Sequence, residues 1–356
     1  MVRAALLFWL GMSGACSDAP PGESGPQPPP PPERLPENDA RTDPGAPCTT
    51  GMPAASAFCA LPFEETEIEL VSQSSTTTAG CTQLYVASRV PGDSVARVRR
   101  YRMTGVDPCG FSRDEAFGEA RANLSAISAT NDGAVFALGY RVLRRVAPGP
   151  VVDCVANGVD LQSDALLAVA PSGRVGWVVW NLDDIPQFAR LSVDSDACEL
   201  VPLSLDERLR GNGPVVAITA DATEHLHILQ GTTSFFEPAW VSVVDVDGKT
   251  VGNYEPVKAA GISWSPRFVT PCGAGTCVST AGQLGAFGPG GEPLGWHWVQ
   301  VAAPAPPSDG SFVQVSMVGS VGGPLMAIGR GGPPHQGMRI LLMPLPRVAP
   351  PDRSYP

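Results

Sequence analysis

Glu224, His225 and His227 form the densest group of titratable side chains in the chain. Alternate residues of a strand share a side, so the two imidazoles have the spacing to hold one metal ion. Against that, His227 occupies a place in a recurring strand that is filled elsewhere by Tyr85, Phe136, Val178 and Met326, which assigns it to packing and a hydrogen bond. Asp245-Val-Asp247-Gly248 begins like a calcium loop but lacks the later ligands and the closing Glu, and reads as an Asp-Gly hairpin turn. A wider group, Asp183, Asp184, Phe235, Phe236, Glu237, Trp240 and His335, sets aromatic rings beside carboxylates, the chemistry of a binding face for a protein or glycan. No nucleophile elbow, H-E-x-x-H helix, Walker loop or dinucleotide-binding glycine loop stands in a usable context. The sequence therefore assigns no catalytic residue, metal or cofactor.

Arg3, the apolar run Ala4 to Met12 and the small residues Ser13, Gly14 and Ala15 before Cys16 have the grammar of an export signal over residues 1–15. The run is about half the ~20 residues that a membrane-spanning helix needs. The stretch Met12-Ser-Gly-Ala-Cys16 resembles the lipobox of bacterial lipoproteins, with Ser13 where Leu is usual; ordinary cleavage and secretion is the alternative. The resemblance implies acylation of Cys16, partnership with a membrane through the lipid, and residence at a bacterial outer membrane or cell surface. Residues 16–47 then form a linker: positions 17–47 hold eleven prolines, including Pro28 to Pro32, and almost no large apolar residue, so they cannot build a core.

Setting Cys16 aside leaves Cys48, Cys59, Cys81, Cys109, Cys154, Cys198, Cys272 and Cys277, an even number without any C-x-x-C pair, which favours disulfides over zinc. Pairing sequence neighbours predicts 48 with 59, 81 with 109, 154 with 198 and 272 with 277.

The elements that must position these residues recur along the chain. Short apolar strands begin at Leu84, Val135, Trp177, Leu226, Cys277 and Leu325, steps of 51, 42, 49, 51 and 48 residues. Upstream companions include residues 124–130, 165–170, 215–220 and 313–318, and downstream ones 96–101, 141–146, 188–193, 240–246 and 338–342. Three or four strands per unit at this period is the pattern of a β-propeller blade. The recurring strands are apolar at consecutive positions, as strands covered on both faces are. The expected fold is all-β, a six-bladed propeller over residues 48–349 with a tail at 350–356. Residues 62–72 are expected to complete the last blade. Capping-box patterns at Ser112-x-x-Glu115 and Ser204-x-x-Glu207 predict two short helices in connecting loops. Loops at residues 91–94, 182–187, 231–239 and 331–337 are expected to gather on one face with those helices.

A net charge of −11 and a pI near 4.8 oppose binding to phosphate backbones, and the one basic cluster, Arg97, Arg99, Arg100 and Arg102, is too short to reverse that. No nucleic-acid partner is expected. The expected role is an extracytoplasmic binding or scaffold module for a protein, glycan or envelope polymer. The alternative is a propeller hydrolase or dehydrogenase with an active site at the channel mouth.

Overall fold

The structure, a computed structural model, describes residues 57–59, 69–70, 76–79, 82–89, 95–106, 108–114, 117, 120–122, 124–147, 151–162, 164–194, 197–231, 238–256, 266–272, 275–279, 283–288, 290–298, 312–319, 325–331 and 338–343. Their strands form six sheets. Blade 1 is built on Thr76–Ala79, Gln83–Arg89, Ala96–Val106 and Cys109–Arg113. Blade 2 has Ala126–Ala129, Val135–Gly139, Val142–Ala147 and Val152–Asp153. Blade 3 has Leu166–Val169, Val175–Leu182, Ile185–Val193 and Cys198–Pro202. Blade 4 has Val215–Ala220, Leu226–Gln230, Trp240–Val244 and Thr250–Tyr254. Blade 5 has Phe268–Cys272, Gly275–Ser279, Gln283–Phe287 and Pro293–Trp298. Blade 6 has Phe312–Val318, Leu325–Gly331 and Met338–Met343, and takes Ala57–Cys59 as its outer strand. The first strands of successive blades touch in order, and that of blade 6 touches that of blade 1. The sheets thus close into a six-bladed β-propeller.

The consecutive apolar residues have a direct cause in this arrangement. Along a strand, odd and even side chains face opposite neighbours. In blade 3, Val178 and Trp180 pack with Phe136 and Leu138 of blade 2, whereas Trp177 and Val179 pack with Leu226 and Ile228 of blade 4. Each of the six seams between blades has its own apolar cluster. Trp177, Phe136 and Leu226 are fully buried; covering a side chain of this size contributes about 2 kcal/mol. The basic cluster is internal to blade 1: Arg100 and Arg102 clamp the buried Asp114 at 2.8 and 2.7 Å. Burial opposes ionisation of Asp114, yet the two guanidinium groups outweigh it and hold the carboxyl below its ordinary range.

Three expectations are corrected. Ala57–Cys59, not residues 62–72, completes blade 6; Glu69 and Leu70 pair instead with Arg89 and Ser88 of blade 1. Of the run expected as a helix from Ser112 to Ala122, the described residues at its two ends, Ser112 to Arg113 and Ala120–Ala122, are strand. Ala96–Val106 is eleven residues long and meets Cys109–Arg113 only from Tyr101 onward, so Ala120–Ala122 pairs with residues 96–98 and satisfies their backbone groups. The second expected helix exists as a single turn, Glu207–Arg210, anchored by the buried Leu209.

The third correction concerns cysteines. Cys154 pairs with Cys198 and Cys272 with Cys277 as expected, but Cys59 pairs with Cys109, which rules out pairing of 48 with 59 and of 81 with 109. The reason is the ring closure. The segment carrying Cys59 is carried round to blade 6, where it packs beside the outer strand of blade 1 that begins at Cys109, and the two Cα atoms come within 4.8 Å. Cys48 and Cys81 lie outside the described residues. The three disulfides are consistent with an extracytoplasmic location.

Candidate functional site

Antiparallel strands put the turns between second and third strands, and the connections between blades, on one face of the ring; we call it the upper face. In blade 3 the second and third strands pair without interruption from Val175 with Ser192 to Leu182 with Ile185. They are joined by Asp183 and Asp184 alone, at φ 50° and 63°. Both values lie in the left-handed region, which Asp tolerates better than most residues, and a two-residue turn of this hand matches the twist of the strands. The tip carries Leu182 and Ile185 at 52% and 49% exposure, large apolar side chains that the fold leaves in water. Asn181 steadies the hairpin: its amide oxygen accepts from the Val215 backbone N–H at 2.9 Å and its amide nitrogen donates to the Val215 carbonyl at 3.1 Å.

Below the tip, a cavity of about 230 Å³ opens where Gly158 and Val159 of the incoming connection meet Leu203 to Leu209 of the outgoing one. Trp180, Pro186, Phe188 and Pro202 line it together with Gln187 and Ser204, and more of its open surface is polar than apolar. Val155–Ala156 runs parallel to the outer strand of blade 3 as a fifth strand, and the Cys154–Cys198 disulfide fixes it there. On blade 2 the equivalent hairpin tip shows Tyr140, 65% exposed, under the guanidinium of Arg141.

Of the residues singled out in the sequence, Asp183 and Asp184 stand exposed at this tip, and Trp240 is half-buried at the start of the third strand of blade 4. Phe235, Phe236, Glu237 and His335 lie outside the described residues, as does Cys16. Residues 182–187 are not the long loop expected but a tight turn running straight into a strand. The exposed Leu182, Ile185 and Tyr140 escaped the sequence reading, although Leu-Asp-Asp-Ile between two apolar runs is a signal for a two-residue hairpin.

The Glu224, His225 and His227 group is on the opposite, lower face. His227 Nε2 lies 2.8 Å from Asp221 Oδ2, and its Nδ1 meets the Thr276 hydroxyl of blade 5. A carboxylate only accepts, so Nε2 carries the proton and Thr276 donates to Nδ1. Nucleophile, base and acid thus stand in triad order, but Thr276 is fully buried and His227 nearly so, which makes the group a staple between blades. Burial raises the pKa of Asp221, but hydrogen bonds from the His227 ring, the His225 backbone and the Thr223 hydroxyl outweigh it and bring it to about 2. From the same turn Glu224, at φ 61°, reaches Ser172 and Arg174 of blade 3 at 2.8 and 3.0 Å. Nearby, Tyr254 is driven well above its ordinary range by burial. The Asp245 to Lys249 segment is the hairpin turn expected, with Gly248 at φ 82°.

The described residues of the six innermost strands include no Asp, Glu, His, Lys or Arg. Among the described residues no cluster of His, Cys, Asp or Glu is arranged to hold a metal ion.

No known protein family matches the chain, and no curated protein does. Solved structures resemble it in fold. The propeller of Dos1 is 9% identical with a TM-score of 0.39, covering 75% of this chain and 66% of that one. The N-terminal domain of Nup159 is 8% identical with a TM-score of 0.39, over 83% and 97%. The PQQ-bound aldose sugar dehydrogenase of Streptomyces coelicolor is 11% identical with a TM-score of 0.31, over 61% and 92%. Their functions differ, and likeness at this level carries no argument about activity.

Proposed function

We propose that the chain is an extracytoplasmic binding module that engages a macromolecular partner through the upper face of blades 2 to 4, and that acylated Cys16 tethers it to a membrane. The observation that carries the reading is the blade 3 tip: Leu182 and Ile185 are held exposed on a fully paired hairpin above a cavity. Apolar side chains exposed side by side mark a surface that a partner can cover.

A photo-cross-linking amino acid in place of Asp184 should capture envelope components, and Leu182→Ser with Ile185→Ser should abolish the capture while the protein stays folded. Equal capture by the double variant would remove this face from consideration. The anchor is tested separately by mass spectrometry of the mature N-terminus, where an unmodified Cys16 or a start elsewhere would refute it.

A further inference from the structure

We infer that the cavity at the upper end of blade 3 takes a peptide segment in which one aromatic or aliphatic side chain is flanked by lysine or arginine. The inference rests on reading this face as the interaction surface, and goes beyond it to the chemistry of the partner. At about 230 Å³ the cavity falls below the range of ~300–1,000 Å³ that holds a whole small-molecule ligand, and suits a single side chain. Trp180, Phe188 and two prolines provide apolar contact for that side chain, while Gln187 and Ser204 can meet the peptide backbone beside it.

Charge supplies the flanking residues. The three segments that supply the cavity lining, residues 157–165, 180–188 and 202–210, contain Asp160, Asp164, Asp183, Asp184, Asp206 and Glu207, against Arg208 and Arg210. All six acidic residues are exposed. Trp180 pairs with Gln187 in the cavity wall, and three residues of strand, about 10 Å, separate Trp180 from Asp183, which is within reach at ordinary ionic strength. Because the carboxylates belong to the three separate segments that also supply the cavity lining, cations on both sides of the anchor are matched better than a single cationic group.

The test uses two labelled synthetic peptides, Gly-Lys-Lys-Phe-Lys-Lys-Gly and the same sequence with Ala for Phe, titrated into the full-length protein by fluorescence polarisation. The Phe peptide should bind about ten-fold more tightly than the Ala peptide, as filling an apolar pocket requires. Asp183→Asn with Asp184→Asn keeps the turn, because Asn also accepts positive φ, and should weaken the Phe peptide about five-fold at low salt and by less at high salt. Equal affinity for the two peptides would show only diffuse charge attraction and overturn the inference, as would binding indifferent to the Asn variants. If neither peptide binds while Leu182→Ser with Ile185→Ser still abolishes cross-linking from position 184, the surface reading stands and the basic-peptide inference falls. If cross-linking is unaffected as well, both fall.

Discussion

The blade 3 tip and the seam between blades 4 and 5 invert the usual arrangement of a folded protein in opposite ways. At the tip, apolar Leu182 and Ile185 face water; in the seam, polar His227 and Thr276 are shut away from it, with Asp221 half-buried at their edge. The seam is stable because each polar group meets a partner of matching donor and acceptor character, and buried polar groups are costly only when left unpaired. The tip gains nothing in the free protein from its exposed side chains, and in the proposed reading they contribute when a partner covers them. In that reading stability and recognition fall to different faces of one ring.

The contrast is broken most severely by Asp221→Ala. It strips His227 of its carboxylate and leaves a buried N–H without a partner, so chemical denaturation should show a loss of about 3 kcal/mol with peptide or partner binding unchanged. Removing Cys154 and Cys198 together, which opens the clamp on the blade 3 edge, should cost about 2–4 kcal/mol in the same measurement and also lower affinity at the tip.

Acid titration sharpens the comparison through one group. Asp221 has its folded pKa depressed from 3.8 to about 2. Its ionised form therefore stabilises the fold fully above about pH 4, and that contribution, about 2 kcal/mol, drains away as pH falls from 4 through 2. Asp221→Asn should flatten the stability curve in that window, and a curve unchanged from the parent protein would contradict the seam assignment. The smallest effect on stability is expected at the tip, where Leu182→Ser with Ile185→Ser should move the unfolding free energy by less than about 0.5 kcal/mol. A large loss there would mean that these side chains belong to the core.

Much of the ring was legible in the chain itself. A period near 48 residues, four-strand units and consecutive apolar positions specify blades covered on both sides, because only neighbours on each face can bury Trp177 and Val178 together. The place of His227 in that repeat already marked it as packed. Local chemistry likewise specified the Asp-Gly turn of blade 4 and the pairing of Cys272 with Cys277, whose partners are a few residues apart. What the sequence could not specify were contacts made by closing the circle. Ala57–Cys59 pairs with Ile340 to Leu342 across nearly the whole described chain, and Cys59 finds Cys109 only because that closure seats it beside blade 1. Thr276 and His227 are 49 residues apart with no local mark of their bond. The exposure of Leu182 and Ile185 was hidden for the same reason: a Leu or Ile at a strand end looks alike in sequence whether a neighbouring blade covers it or stops short. Local patterns fix the period and the turns, because those energies lie within a few residues, while the register of closure and the surface left uncovered are set by which blades meet in space.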